Sequence, residues 1–365
     1  MYKLTLLFLT ILSNYVISYA QESANCLQSI NFEPKFYVGN ILDHTSKLSH
    51  LIKGYCTSTE LGFNKQSNSN KYWSVKRNYP HFGLSLIYTT MGNKEVLGNA
   101  ISLVPNSYFS FFKPNSFLRF RLGVGLSYLT KRFHIVDNPT HTAIGSYLNA
   151  AAQLHLFTYF KLKGNTFLNT GIGLLHFSNG AYRLPNLGIN IYGMNLGISF
   201  MKDRATEYLD SDTMKPAKAN ELVNFRTAIS FKEFDAPGGP RYPMYELSVA
   251  YPFYKSEIKR AFIGVDGFYD KAIYYSLITT GSGIENKHKY SMRSGVWLGY
   301  ELKMNKVSLI GNWGYYIFTP TAPRSMFYQR WGVQYNATDN ISFGLTMKVH
   351  YFVVDVFAWG ISYRL

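Results

Sequence analysis

Cysteine is nearly absent. The 365 residues carry 2, which excludes the disulfide-dense scaffolds of small secreted domains. Charge is scarce as well: Asp, Glu, Lys and Arg make up 16% of the chain, against ~25% in ordinary soluble domains. Acidic residues are the scarcer kind, 21 against 37 Lys and Arg, for a net +16. No run of five Lys or Arg occurs, so this charge is scattered. Scattered charge argues against nucleic acid and suits anionic lipid or lipopolysaccharide phosphate. Beyond Ala20 no apolar run approaches the ~20 residues of a membrane-spanning helix. P-loop, zinc and dinucleotide-binding spacings are missing, as is any solenoid or propeller period. No metal or cofactor is expected.

Aromatic residues are abundant. With 30 Tyr and 27 Phe they reach 17%, yet mean hydropathy is only −0.10. Such a chain is too polar for a helical membrane protein and too aromatic for a disordered one. A β-rich envelope protein or a large soluble β protein remains.

The first residues specify export. Met1-Tyr2-Lys3 is a short positive region, Leu4 to Leu12 an apolar core, and Ser18-Tyr19-Ala20 a small-residue cleavage site. Residues 1–20 therefore read as a signal peptide, too short for a retained helix. Cys26 and Cys56 would then meet an oxidising compartment, where a disulfide and two separate thiols are both open.

From there the pattern is strand, turn, strand. Turns such as Lys113-Pro-Asn-Ser116, Lys163-Gly-Asn165, Met304-Asn-Lys306 and Ala337-Thr-Asp-Asn340 separate β-branched and aromatic runs. Strands are predicted near 35–41, 54–64, 80–91, 98–112, 116–130, 144–161, 164–178, 188–200, 222–233, 243–254, 259–276, 290–303, 306–318, 326–337, 340–350 and 354–365. Phe357, Trp359, Ile361, Tyr363 and Leu365 alternate with Ala358, Gly360, Ser362 and Arg364 up to the last residue. An all-β, antiparallel transmembrane barrel of the outer-membrane type follows, with about 12–16 strands. The polar segment 201–221 is expected outside the membrane.

Chemistry gathers in one place. Within Thr170 to Gly180, alternate residues share a face. Ile172, Leu174, His176 and Ser178 point one way, and Gly171, Gly173, Leu175 and Phe177 the other. The branched aliphatics mark the first face as lipid-facing, so His176 and Ser178 fall at the end of a lipid stripe. An imidazole two residues from a hydroxyl can come within reach to activate it as a nucleophile. The competing reading is an inert, solvated pair at a strand end, because His-x-Ser is a weak pattern.

The longer run His176-Phe-Ser-Asn-Gly-Ala-Tyr-Arg-Leu-Pro-Asn-Leu-Gly-Ile-Asn190 resembles the signature of the lipid A 3-O-deacylase family, acyloxyacyl hydrolase-like outer-membrane barrels. That family carries His-x-Ser-Asn and then Pro-Asn-x-Gly. Resemblance extends less sharply through Pro80-His-Phe-Gly-Leu-Ser85, Glu95-Val-Leu-Gly-Asn99 and Phe120-Arg-Leu-Gly-Val-Gly125. It implies a deacylase-like barrel over 21–200; residues 201–365 lie beyond the compact family barrel and read as further strands, expected in the same barrel, with a separate barrel or binding module as the other reading. By resemblance Ser178 is the nucleophile, His176 its base and Asn186 an oxyanion donor, while Asn179 and Gly180 shape the turn and offer backbone N–H groups. The implied reaction is hydrolysis of an ester-linked 3-hydroxyacyl chain of lipid A, the lipopolysaccharide anchor in the outer leaflet of a Gram-negative outer membrane.

One position departs from the family. Its acid, fourteen residues after the His, is here Asn190. An amide can accept the imidazole N–H but stabilises imidazolium less than a carboxylate does. Three readings follow: Asn190 itself orients His176, a carboxylate from another strand replaces it, or the site is weak or dead. The rival function is a non-enzymatic barrel, channel or structural, since wide barrels can hold a water-filled lumen. Two lesser motifs read as loops: Asp210-Ser-Asp212 lacks the rest of a calcium loop, and Gly281-Ser-Gly283 lacks the outer residues of a nucleophile elbow.

Overall fold

The computed structural model describes residues 30–365 apart from 68, 69, 115, 202–207, 210–213, 215, 217–220, 235 and 352. The proposed signal peptide, Cys26 and Asp210-Ser-Asp212 lie outside the described residues. No helix among the described residues is long and apolar enough to cross a membrane.

Among the described residues sixteen strands form, each within a few residues of its predicted place. They are β1 (Asn31–Ile41), β2 (Cys56–Gln66), β3 (His81–Thr90), β4 (Asn99–Ser110), β5 (Leu118–Leu129), β6 (Leu148–Lys163), β7 (Thr166–Ser178) and β8 (Ile189–Phe200), then β9 (Asn224–Glu233), β10 (Arg241–Lys255), β11 (Lys259–Asp270), β12 (Met292–Met304), β13 (Val307–Phe318), β14 (Phe327–Asn336), β15 (Ile341–His350) and β16 (Val353–Arg364). All neighbours are antiparallel. The sheet closes twice rather than once: β8 bonds back to β1, with Leu196 opposite Phe36, and β16 bonds back to β9, with Ile361 opposite Thr227. Residues 224–364 thus form a second eight-stranded barrel instead of widening the first. The alternation of outward and inward residues is the same in either closure, so only the strand pairing separates them.

One predicted strand is too long. The 259–276 segment leaves the sheet at Asp270, whose carboxylate accepts Ala272 N–H at 2.9 Å and caps helix α1 (Lys271–Thr279). Gly281 and Gly283 follow as turn residues with positive φ.

Both barrels show apolar outsides and polar insides. Outward residues such as Ile172, Met194, Leu196, Leu247 and Leu298 are exposed, as a bilayer-facing band requires. The first lumen is filled by Arg121, buried on Glu60, which also accepts from Tyr37 Oη at 2.6 Å and Ser85 Oγ at 2.8 Å. In the second, Arg330 joins Glu246 at 2.8 Å and Asp266, and Arg226 pairs with Glu246. Interior charges pair because an unpartnered one there costs several kcal/mol.

At the rim where odd-numbered strands of the first barrel end, segments 42–55, 91–98, 130–147 and 179–188 connect the strands. Beneath them lies an apolar plug that includes Ile41, Met91, Ile144, Leu175, Phe177 and Ile191. In the second barrel the same rim carries 234–240, 271–291 and 319–326, while the opposite turns are short, such as 305–306. In the first barrel the opposite side carries the long segment 67–80 beside the short turn 164–165; the second barrel's long loops on one side and tight turns on the other match outer-membrane barrels, with the long loops outside. The barrels touch at both ends. Trp73 packs with Ile258 and Met304 at the short-turn end, and the 179–188 loop meets β9, β10 and β16 at the other.

Candidate active site

The end of β7 is set by its inward residues. Phe177 is fully buried in the apolar plug and Leu175 nearly so, so neighbouring His176 and Ser178 must point outward. Ile172, further down that face, is 58% exposed. The outward orientation expected from the alternation is therefore present. Opposite them on β6 stand small residues, Ala152 across from His176 and Ala150 across from Ser178.

On the other side, His176 pairs in register with Asn190 of β8. Its Nδ1 lies 2.7 Å from Asn190 Oδ1. A carboxamide oxygen only accepts, so the imidazole proton sits on Nδ1 and Nε2 keeps its lone pair. Among the described residues no carboxylate contacts His176. Of the orienting groups left open by the sequence, the structure places Asn190 at the ring and no substitute acid.

Asn190 is itself held. Its Nδ2 lies 3.3 Å from His44 Nδ1, and His44 Nε2 lies 3.2 Å from Leu187 O. Sequence reasoning missed His44, which sits in the 42–55 loop with no motif around it. Gly188 completes this corner. Its φ is +78°, and a Cβ there would stand 3.0 Å from His176 Cε1, so this residue lets β8 enter tight against the ring.

Ser178 is 2% exposed, and its Oγ makes no hydrogen bond among the described residues. The expected His176–Ser178 hydrogen bond is not formed. Alternate strand residues stand ~6.5–7 Å apart, and Asn190 draws the ring toward β8. The hydroxyl is thus buried and without a hydrogen-bond partner, on the same strand face as the imidazole.

Beyond Ser178 the chain turns at Gly180, φ +60°. Asn186 Oδ1 accepts Asn179 N–H at 2.9 Å, and Asn179 Nδ2 donates to Ser146 Oγ at 2.8 Å. Asn179 N–H is thus taken, contrary to its expected role toward an oxyanion. Its part is to tie the 179–188 and 130–147 loops together. Asn186 uses its oxygen in this contact, which leaves its NH2 group as the donor; the Gly180 N–H makes no hydrogen bond among the described residues.

Fold and site together define a class: an outer-membrane-type β-barrel protein with a hydroxyl, an imidazole and an amide on the lipid-facing end of adjacent strands. The lipid A 3-O-deacylase (PagL) family model matches residues 57–199, and the model of the acyloxyacyl hydrolase C-terminal domain matches 222–365. The chain belongs to this lipid A 3-O-deacylase family of outer-membrane barrels, and the two matches fall on its two barrels. No curated protein matches it. Among solved structures, the outer membrane enzyme PagL is 16% identical, covering 46% of this chain and 97% of its own, with a TM-score of 0.31. CdiB from Acinetobacter baumannii is 10% identical, with coverages of 93% and 60% and a TM-score of 0.19. A mutant Rh. blastica porin is 8% identical, with coverages of 92% and 99% and a TM-score of 0.18. Among the described residues no three His, Cys, Asp or Glu side chains converge as a metal would need.

Proposed function

We propose that this protein is a serine esterase that removes an ester-linked 3-hydroxyacyl chain from lipid A in the outer leaflet of the outer membrane. Ser178 Oγ attacks the ester carbonyl while His176 Nε2 takes its proton. Asn190, accepting from Nδ1, holds the ring in that tautomer and lowers the energy of the imidazolium that forms. Asn186 Nδ2, with Gly180 N–H, receives the developing oxyanion, a contribution of about 3 kcal/mol for a donor of this kind. Collapse expels the sugar alkoxide, which takes the proton back from His176. Water, deprotonated by the same Nε2, then attacks the acyl-serine; the fatty acid leaves as Ser178 Oγ takes that proton back from His176.

One observation carries the reading: the 2.7 Å His176–Asn190 contact on the outward face, with a buried hydroxyl that has no hydrogen-bond partner two residues along the same strand. A site facing outward takes a substrate that is already in the bilayer. The filled lumens weigh against the channel reading, because Arg121, Glu60, Arg330 and Asp266 occupy the interior on each other's hydrogen bonds.

The test compares lipid A by mass spectrometry in a Gram-negative host expressing wild type, Ser178→Ala or His176→Ala. Wild type is expected to produce lipid A lighter by one 3-hydroxyacyl chain, and both variants unmodified lipid A. Identical profiles at equal folded barrel would refute the proposal. Planar-bilayer recordings supply the other arm: steady open channels would favour transport.

A further inference from the structure

The segment between the nucleophile and the oxyanion donor is gripped by the second barrel. Glu233, the last residue of β9, has a fully buried side chain. Its Oε1 is 2.6 Å from Arg183 Nη1, its Oε2 accepts Leu184 N–H, and its own N–H donates to Ala181 O at 2.8 Å. Arg241, directly across from Glu233 on β10, bonds Tyr182 Oη and lies 4.6 Å above its ring. On β16, Phe357 packs against Gly180, where a Cβ would come within 2.5 Å of the ring. Three adjacent strands of one barrel thus hold consecutive residues of the other barrel's loop.

Resting on the esterase reading above, we infer that Glu233 is a positioning residue for the oxyanion site, and that the second barrel serves as the mould in which the 180–186 loop is held. The physical case is one of precision. An oxyanion donor is worth its full contribution only when preorganised at the developing charge, and a displacement of about 1 Å can cost roughly a hundredfold in rate. On one side the first barrel's own 130–147 loop holds it through the Asn179–Ser146 contact, an isolated bridge between Ile144 and Asn186, and the close approach of Gly145 to Leu184 O. On the other side, three of its residues make polar contacts with Glu233 alone. A carboxylate that receives two loop donors and is sealed from water is a rigid anchor.

The experiment uses the full chain in liposomes containing lipopolysaccharide, with release of 3-hydroxy fatty acid followed by mass spectrometry. Glu233→Ala is expected to lower kcat about thirtyfold with KM within about twofold. Glu233→Gln, whose amide oxygen can still accept Leu184 N–H, should recover most of the rate. Folding is checked by heat-modifiable gel mobility, and if Glu233→Ala fails to fold, Arg241→Leu at the exposed rim takes its place, with about a threefold loss in kcat expected. Wild-type kcat in the folded variant, or a change confined to KM, overturns the inference. Ser178→Ala is run beside them. An inactive wild type, or a Ser178→Ala as fast as wild type, overturns the esterase reading and the inference with it; a silent Ser178→Ala beside an unaffected Glu233→Ala overturns the inference alone.

Discussion

Replacing Asn190 by Asp tests the catalytic geometry most directly. The carboxylate keeps an oxygen where Asn190 Oδ1 now stands, 2.7 Å from His176 Nδ1, so the ring and its tautomer are undisturbed. What changes is charge. A neutral hydrogen bond contributes about 1 kcal/mol net, and one to a charged group about 1.5–3 kcal/mol. The difference, about 1.4 kcal/mol, is realised when imidazolium forms in the transition state, and corresponds to roughly a tenfold rise in kcat. Two costs oppose it. The Nδ2 contact to His44 is lost, but at 3.3 Å it is long. The new charge must be desolvated, yet Asn190 is only half-buried, so water still reaches it. Steady-state release of 3-hydroxy fatty acid from lipopolysaccharide measures the outcome, with Asn190→Leu as the converse control, expected to fall by roughly tenfold or more. If Asn190→Asp folds but is no faster, or Asn190→Leu matches wild type, His176 is not a base held by its Nδ1 contact.

Two further expectations follow from local geometry. Gly188→Ala places a methyl 3.0 Å from His176 Cε1 on a residue at φ +78°; the backbone strain is about 1–2 kcal/mol, and the displaced ring should cost at least tenfold in kcat, read by the same assay against an unchanged KM. His141, fully buried in the 130–147 loop, has its pKa pushed down by burial from 6.5 to about 4. The unfolded loop therefore takes up the proton first. The stability His141 contributes is complete above pH 6.5 and is lost as pH falls through 4, a swing of about 3 kcal/mol. Amide exchange of the loop should accelerate over that window in wild type and not in His141→Gln; a pH-independent loop would contradict it.

Much of the architecture was legible because barrel strands obey a single rule, alternation. Leu175 and Phe177 inward, Ile172 and His176 outward, could be read from residue type alone, and the terminal stripe from Phe357 to Leu365 likewise. The double closure could not, since Phe36 opposite Leu196 and Ile361 opposite Thr227 are pairings of residues equally suited to one wide barrel. The helix after Asp270 was hidden by residues such as Ile273, Tyr274 and Tyr275, which suit a strand just as well. In the candidate site, His176, Ser178, Asn186 and Asn190 stand in one contiguous run, so the motif singled them out as candidates. The role of Asn179 was misjudged because the competition for its N–H depends on where the Asn186 side chain folds back.

The residues missed altogether share a physical property: each acts across a large sequence separation without any pattern of its own. His44 reaches Asn190 from the first hairpin loop, and Glu233 reaches Arg183 and Leu184 from another barrel. A lone Glu at a strand end reads as an ordinary solvated residue, and only its burial marks it otherwise. That contrast bears on how the site is built. The proposed base His176 and its orienting Asn190 lie on two strands locked by the ladder of one barrel, which fixes their register. The proposed oxyanion donors lie on a loop, where backbone freedom is greatest and precision hardest to hold. On the inference above, the second barrel, which clamps residues 180–184 from three strands, adds rigidity to that loop on the side opposite the Ile144–Asn186 bridge.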